Sequence, residues 1–402
     1  MERQTIMDGA PVPHVLPRVT HGRGGRDFAT GGHCGRWLPS EETRPAMPVV
    51  MPDGSGALLI SRYDEAAEAF TSPRASRACL DARQRLRGPG MRVSMASMDP
   101  PAHRSARGLV NGAFSARQIG QLRPAVERTA DRLIDTMVAR GAPADLLRQF
   151  CRPLAFAAHF DVLGVPADHR RRLGAWSSLR SARPGITASE VFGAEQRLHA
   201  SIRRMLNDTT VEPTGLLAEL VRDGLSPERV GAVLTSLLFD GPVLAGTQLA
   251  NSLMGLFTDT EQLKLLRDDP GLDAGAAEEL LRYLPPANTG LPRLTTGALT
   301  LGAVAVPAGT VVIVALPPAN RDATQFAEPD RLDVTRRGPG HLTFGRGVHY
   351  CLGAHLTRVL LTVAFDRLLR RLPGLRLSVP EEDLRWYDAQ NIRGVSALPV
   401  TW

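Results

Sequence analysis

Two periodicities run through the hydrophobic and polar positions of this chain, and the helical one dominates. The longest apolar stretch extends from Val230 to Thr258 with Asp240 as its only charged side chain. A helix buried nearly all round is therefore predicted there, with Ser226 as its cap and Pro227 in its first turn. Other helices are predicted from Tyr63 to Phe70, capped by Ser61 and stopped by Pro73, and from Asp99 through Arg107. Further ones run from Gln121 to Val138, Gln149 to Val162, Asp168 to Leu179 and Ser189 to Leu206, with a break at Arg183-Pro184-Gly185. Near the end, Leu352, Leu356, Val359, Leu360 and Val363 share a helix face that Pro373 and Gly374 terminate. Strand-like alternation predicts a hairpin from Val49 to Ile60 around Asp53-Gly54, strands at Leu299 to Val306 and Val311 to Leu316, and a closing pair of Leu375 to Val379 with Leu398 to Trp402. Residues 74 to 97 have no period and read as a long loop, a kind that usually carries function. Residues 1 to 25, rich in Pro, Gly, His and Arg, read as an irregular or disordered lead-in, which leaves 26 to 402 as one folded domain, mainly α with small β-sheets.

Composition narrows the class. An apolar share of 43% and a charged share of 22% are ordinary for a globular protein with a sizeable core. Thr235, Ser236, Gly241, Pro242, Gln248 and Asn251 interrupt the apolar run, which argues against a membrane span. No charged-then-apolar leader follows Met1, and Cys34, Cys79, Cys151 and Cys351 show no paired spacing, so a reducing cytoplasm is expected. The net charge of +7 comes without any basic block interleaved with aromatics, which excludes nucleic acid and points to an acidic protein partner.

The candidate chemistry lies in the run Phe344, Gly345, Arg346, Gly347, Val348, His349, Tyr350, Cys351, Leu352, Gly353. It places one thiol in a glycine-rich loop at the N-terminus of a helix, where free N–H groups and the helix dipole favour a thiolate. Taken alone, this leaves three readings: a metal or nucleophile thiolate, a zinc site with His349 and His355, and a structural cysteine. One cysteine without a second pair fits zinc spacing poorly. His103 and Arg107, one turn apart, are either a solvated basic face or partners for a buried carboxylate. Glu279 and Arg282, three apart, are by spacing an ordinary ion pair.

Phe-Gly-x-Gly-x-His-x-Cys-x-Gly resembles the haem-binding loop of the cytochromes P450. Glu279-Leu-Leu-Arg282, Arg293, Pro318 to Asp322 and Pro329 to Asp333 follow in the order of that family's other signatures. The resemblance spans residues 45 to 402 and implies a P450 fold with a long central helix over haem b (iron protoporphyrin IX) and Cys351 as the iron ligand. It further implies haem contacts from His103, Arg107, Arg293, Phe344, Gly345, His349, Leu352, Gly353 and Ala354, with Glu279 and Arg282 structural. Met95, Val243, Leu244, Ala287, Asn288, Gln390, Asn391 and Ile392 are implied to face substrate. The polar turn at Gln390 and Asn391 would suit a substrate with amide groups.

The central helix departs from the family pattern. Asp240-Gly241 take the place of its Ala-Gly, and the acid and alcohol that deliver protons fall on Val243 and Leu244, both apolar. Pro242 removes a backbone N–H and opens the helix there. Protons are then expected from water held by Asp240 or by the freed carbonyls, or from the substrate itself; peroxide is the third route, but the Arg that peroxide-using members of the family place here is absent. The bland reading of Asp240 is a buried acid tied to a backbone group or an Arg. Thr289 to Thr295, the apolar helix positions and Leu398 to Trp402 look most like bacterial P450s that oxidise cyclodipeptides (diketopiperazines). Oxidative C–C or C–N coupling of an aromatic cyclodipeptide is therefore expected, with hydroxylation of a secondary metabolite, a small natural product, as the alternative. A non-catalytic haem sensor or carrier is a third reading, which thiolate ligation disfavours. No Gly-x-Gly-x-x-Gly turn follows a strand, so a ferredoxin and its reductase are expected to donate electrons to a monomeric enzyme.

Overall fold

The long apolar run folds as one helix, Pro227–Thr258, in the computed structural model, which describes residues 14–15, 45–51, 55–80, 94–178, 188–208, 212–389 and 391–402. Ser226 caps it, its hydroxyl accepting from the Arg229 N–H at 3.4 Å. Leu234, Leu238, Leu249, Leu253 and Leu256 along its length are fully buried. They join one core with Leu154 of the helix Arg152–Leu163, Ile134 of Ala116–Arg140 and Leu360 of Ala354–Ala364. Each such side chain contributes roughly 1.5–3 kcal/mol relative to exposure. The helix is long and apolar enough to cross a bilayer, yet most of its most apolar window is buried against protein.

The other predicted helices form with small shifts. Gln121 to Val138 extends to Ala116–Arg140, Asp168 to Leu179 is Ala167–Ser178, and Ser189 to Leu206 is Ala188–Leu206. A wider turn at Leu147–Cys151 precedes Arg152–Leu163, where one helix was expected. The expected break at 183–185 lies outside the described residues. The helix Tyr63–Thr71 corrects one expectation, because Ser61 does not cap it. The cap residue is Arg62, and the Tyr63 N–H donates to the distant Asp322 carboxylate at 3.0 Å. A long-range acid has taken the role a local hydroxyl was expected to fill.

Strands gather at one side. Among the described residues the largest sheet runs in the order His14–Val15, Ala46–Val50, Gly56–Ile60, Val311–Val314, Arg293–Thr295, Ala75–Ser76. Its antiparallel pair, Met47 opposite Leu59, is the predicted hairpin. The first strand falls within the lead-in expected to be irregular, and the rest of 1–44 lies outside the described residues. Arg376–Leu377 pairs with Pro399–Thr401 as expected. Between them lies a further hairpin, Trp386–Ala389 with Ile392–Val395, which the sequence pattern did not reveal. Leu294 on the sheet opposes Val311, and the neighbouring Arg293, opposite Val312, is buried.

Candidate active site

Backbone geometry shapes the cysteine loop. Gly345 and Gly347 have φ of 66° and 72°, which a side chain rarely adopts. A Cβ on Gly347 would also come within 3.1 Å of the Phe70 carbonyl oxygen. The loop closes on itself through Cys351 N–H to Phe344 O at 2.9 Å and Tyr350 N–H to Gly347 O at 3.0 Å. The following helix begins at Ala354, three residues beyond Cys351, so the thiol precedes the helix instead of opening it. Cys351 lies deep in the molecule yet keeps accessible surface. Burial pushes its thiol up, while the Gly353 N–H and the charges of Arg107 and Arg358 pull it toward thiolate. Arg358 is held by Glu278 through contacts of 2.6 and 2.9 Å, and its guanidinium lies 4.9 Å from the centre of the Phe344 ring.

Basic side chains from distant parts of the chain meet beside this loop. The rings of His103 and His349 stand 4.3 Å apart. Burial pushes His349 down to about 4, helped by His103, Arg293 and Arg77. Burial likewise lowers Arg293 to about 10, with Arg77 adding to the effect. His103 is lowered by burial and by Arg107, and the carboxylate offsetting these charges is Asp99. The buried Nε2 of His349 has no hydrogen-bond partner. The guanidinium groups of Arg77, Arg107 and the buried Arg293 beside an orphaned imidazole nitrogen fit the carboxylates of a haem. Arg77 was missing from the sequence-based set because it falls in the stretch without a period. Asp99 fixes it, accepting its backbone N–H at 2.9 Å. Among the described residues no three His, Cys, Asp or Glu side chains gather as a metal site.

Most of the positions expected to face substrate meet one another. Val243, fully buried, packs on Ile392, with Leu244 and Phe156 against them. Ala287 bridges Ile392 through the backbone, and the Asn288 N–H donates to Asn391 O at 3.1 Å. Asn391 has a φ of 78°, and its side-chain amide is committed to Thr289: the oxygen accepts the Thr289 N–H at 2.7 Å and hydroxyl at 3.0 Å, and the nitrogen donates to Thr289 O at 2.7 Å. Its polar tip therefore ties two segments together. Gln390 lies outside the described residues, as does the side chain of Asp240. Met95 lines a cavity of about 340 Å³ with Met98, Ala106, Val233 and Ser236.

Around the proline of the central helix the geometry is closed. Pro242 has no N–H for the Leu238 carbonyl, yet the Pro227–Thr258 helix continues through it. The hydroxyl of Ser177, fully buried, donates to Leu238 O. The carbonyl left without its helical donor is thereby given a hydroxyl donor from a neighbouring helix. Alongside, a Cβ on Gly241 would come within 2.9 Å of His159 Nε2, so only glycine fits there without moving that ring. His159 donates from Nδ1 to Ala155 O at 2.7 Å, and burial pushes it down to about 4.

The family model "Cytochrome P450" matches residues 272–386. A mycinamicin IV hydroxylase/epoxidase from Micromonospora griseorubida is 38% identical over 378 residues, covering 92% of this chain and 95% of that protein. A solved structure of HinD with NMFT and NO superposes with a TM-score of 0.86 at 38% identity, covering 98% of this chain and 100% of the other. A structure of cytochrome P450mel with biaryl coupling reactivity has a TM-score of 0.81 at 33% identity, covering 89% and 93%.

Proposed function

The chain belongs to the cytochrome P450 family of haem-thiolate monooxygenases, and from that premise we propose that it couples the aromatic ring of a cyclodipeptide to a second ring through a C–C or C–N bond. When bound, the haem supplies one-electron and oxygen chemistry at an iron held by a thiolate. We assign Cys351 as that ligand. His103, Arg107, Arg293 and His349, joined by Arg77, hold the propionates, and Phe344, Gly345, Leu352, Gly353 and Ala354 form the cradle. We also assign residues 26–402 to a single haem domain.

The observation that carries coupling is the apolar turn of the central helix. Val243 and Leu244 pack on Ile392 and Phe156 where the family places a proton-donating acid and alcohol, and neither can hold or move a proton. Ser177 occupies the carbonyl that Pro242 sets free. A substrate that gives up one hydrogen from an indole N–H or a phenol O–H and a second from the ring it joins would form the C–C or C–N bond without oxygen transfer, the two electrons and two protons passing to the oxygen chemistry that the haem would supply. The biaryl coupling reactivity of P450mel supports the feasibility of such chemistry on this fold. Hydroxylation of a secondary metabolite is the second reading, favoured by the hydroxylase/epoxidase relative.

Titrating the ferric holoenzyme with Trp-, Tyr- and Phe-containing cyclodipeptides tests the substrate class, with a low-to-high-spin absorbance change expected for at least one. No change with any of them removes the cyclodipeptide reading. Product mass then decides the reaction: a loss of two hydrogens is expected, and a gain of one oxygen assigns hydroxylation instead. Wild-type turnover by Asp240→Asn would remove Asp240 from the proton path.

A further inference from the structure

The helix Ala167–Ser178 buries two side chains, Leu173 and Ser177, and Ser177 stands one residue before its end. Ser177 spends its hydroxyl on the Leu238 carbonyl, four residues before Pro242 in the central helix. In an unbroken helix that carbonyl accepts from the N–H of residue 242, and a proline there both lacks the donor and pushes the carbonyl aside. An unsatisfied buried carbonyl is costly, so a helix carrying a proline at this depth needs a donor from elsewhere. Ser177 is that donor.

We propose that Ser177 and Pro242 form one unit: the serine is a positioning residue that fixes the turn opened by the proline, and so couples the end of Ala167–Ser178 to the stretch of central helix that carries Gly241, Val243 and Leu244. A second contact, Gly241 against the His159 ring, also holds this stretch. The turn is held by two helices, one contact being a ring and the other a single hydrogen bond. Losing the hydrogen bond leaves only the ring. The turn then relaxes against His159, shifting Val243 and Leu244 relative to Ile392 and Phe156. This holds whichever bond the enzyme makes, and its test does not depend on the substrate.

The experiment is a double-mutant cycle in the holoenzyme with Ser177→Ala, Pro242→Ala and both together. Amide hydrogen exchange is read by mass spectrometry over residues 238–246, with 229–235 and 354–364 as internal references, and the ferric spin state is read by absorbance. In the Pro242 background, Ser177→Ala is expected to raise exchange over 238–246 by roughly tenfold, the equivalent of one buried hydrogen bond, and to shift the spin state. Both references should stay unchanged. In the Pro242→Ala background the same replacement is expected to change exchange less than about twofold, because the new N–H satisfies Leu238. Equal effects in both backgrounds, or none in the first, overturn the proposal. If Ser177→Ala alone fails to retain haem, the double variant is expected to recover it, and failure to recover overturns the proposal equally.

Discussion

His159 is a buried imidazole whose proton is already committed to the Ala155 carbonyl. Its folded pKa lies at about 4 against the usual 6.5. The unfolded chain therefore takes up a proton that the folded protein refuses as pH falls below about 6.5. Stability should be full above that value, decline as pH falls toward 4, and lose on the order of 3 kcal/mol from this group alone. Urea unfolding at pH 7 and at pH 4.5 is expected to show a clearly smaller pH loss for His159→Gln than for wild type. A parallel slope in the two proteins would show that the ring is not the source. Cys351 gives a second expectation at this scale. Cys351→Ser should abolish turnover and change the ferrous–carbonyl spectrum or the haem content, while the far-ultraviolet circular dichroism of the fold persists.

Between elements, the pair Glu279 and Arg282 does far more than its spacing implies. Both are buried, and the two side chains meet through contacts of 2.7 and 2.8 Å. Arg282 also donates to Asn320 O at 3.0 Å and Pro329 O at 2.8 Å, and Glu279 accepts from the Asp333 N–H at 3.0 Å and Arg336 Nε at 3.1 Å. One helix, Asp273–Tyr283, thereby organises the irregular segment from Asn320 to Arg336, which leads into the cysteine loop. Removing one partner strands a buried charge. Glu279→Ala should cost about 3–5 kcal/mol and release haem at a lower temperature than wild type, as thermal scans of the Soret band would report. A loss under about 1 kcal/mol, typical of a surface pair, would contradict this.

At the scale of the whole molecule the excess of positive charge, +7, suits an acidic electron donor. We expect ferredoxin-supported turnover to weaken as salt rises, the apparent KM for ferredoxin increasing several-fold between about 0.05 and 0.3 M while peroxide-supported conversion, where detectable, stays level. A salt-independent KM would place the docking on apolar surface. The same scale explains how the candidate site assembles. Arg77, His103, Arg293 and His349 lie far apart along the chain, and the sheet pairing of Ala75 with Thr295 and Leu294 with Val311 brings two of their segments together.

The sequence by itself determined the mainly helical class, the central helix with its cap, and the cysteine loop, because each rests on local chemistry: period, capping residues, and glycines that permit positive φ. Through the family resemblance it also set the apolar Val243 and Leu244 where an acid and an alcohol are expected, since residue type is visible without coordinates. Tertiary structure alone decided what long-range partners do. Asp322 rather than Ser61 satisfies the first N–H of Tyr63–Thr71, Asn391 binds Thr289, and Arg77 joins the basic cluster. Most of all, Pro242 in the sequence reads as an opened helix, and the fold answers it with a hydroxyl 61 positions away from Leu238. Periodicity records which face of an element is buried, but not which polar group waits on the facing element, and that is where the satisfied carbonyl was settled.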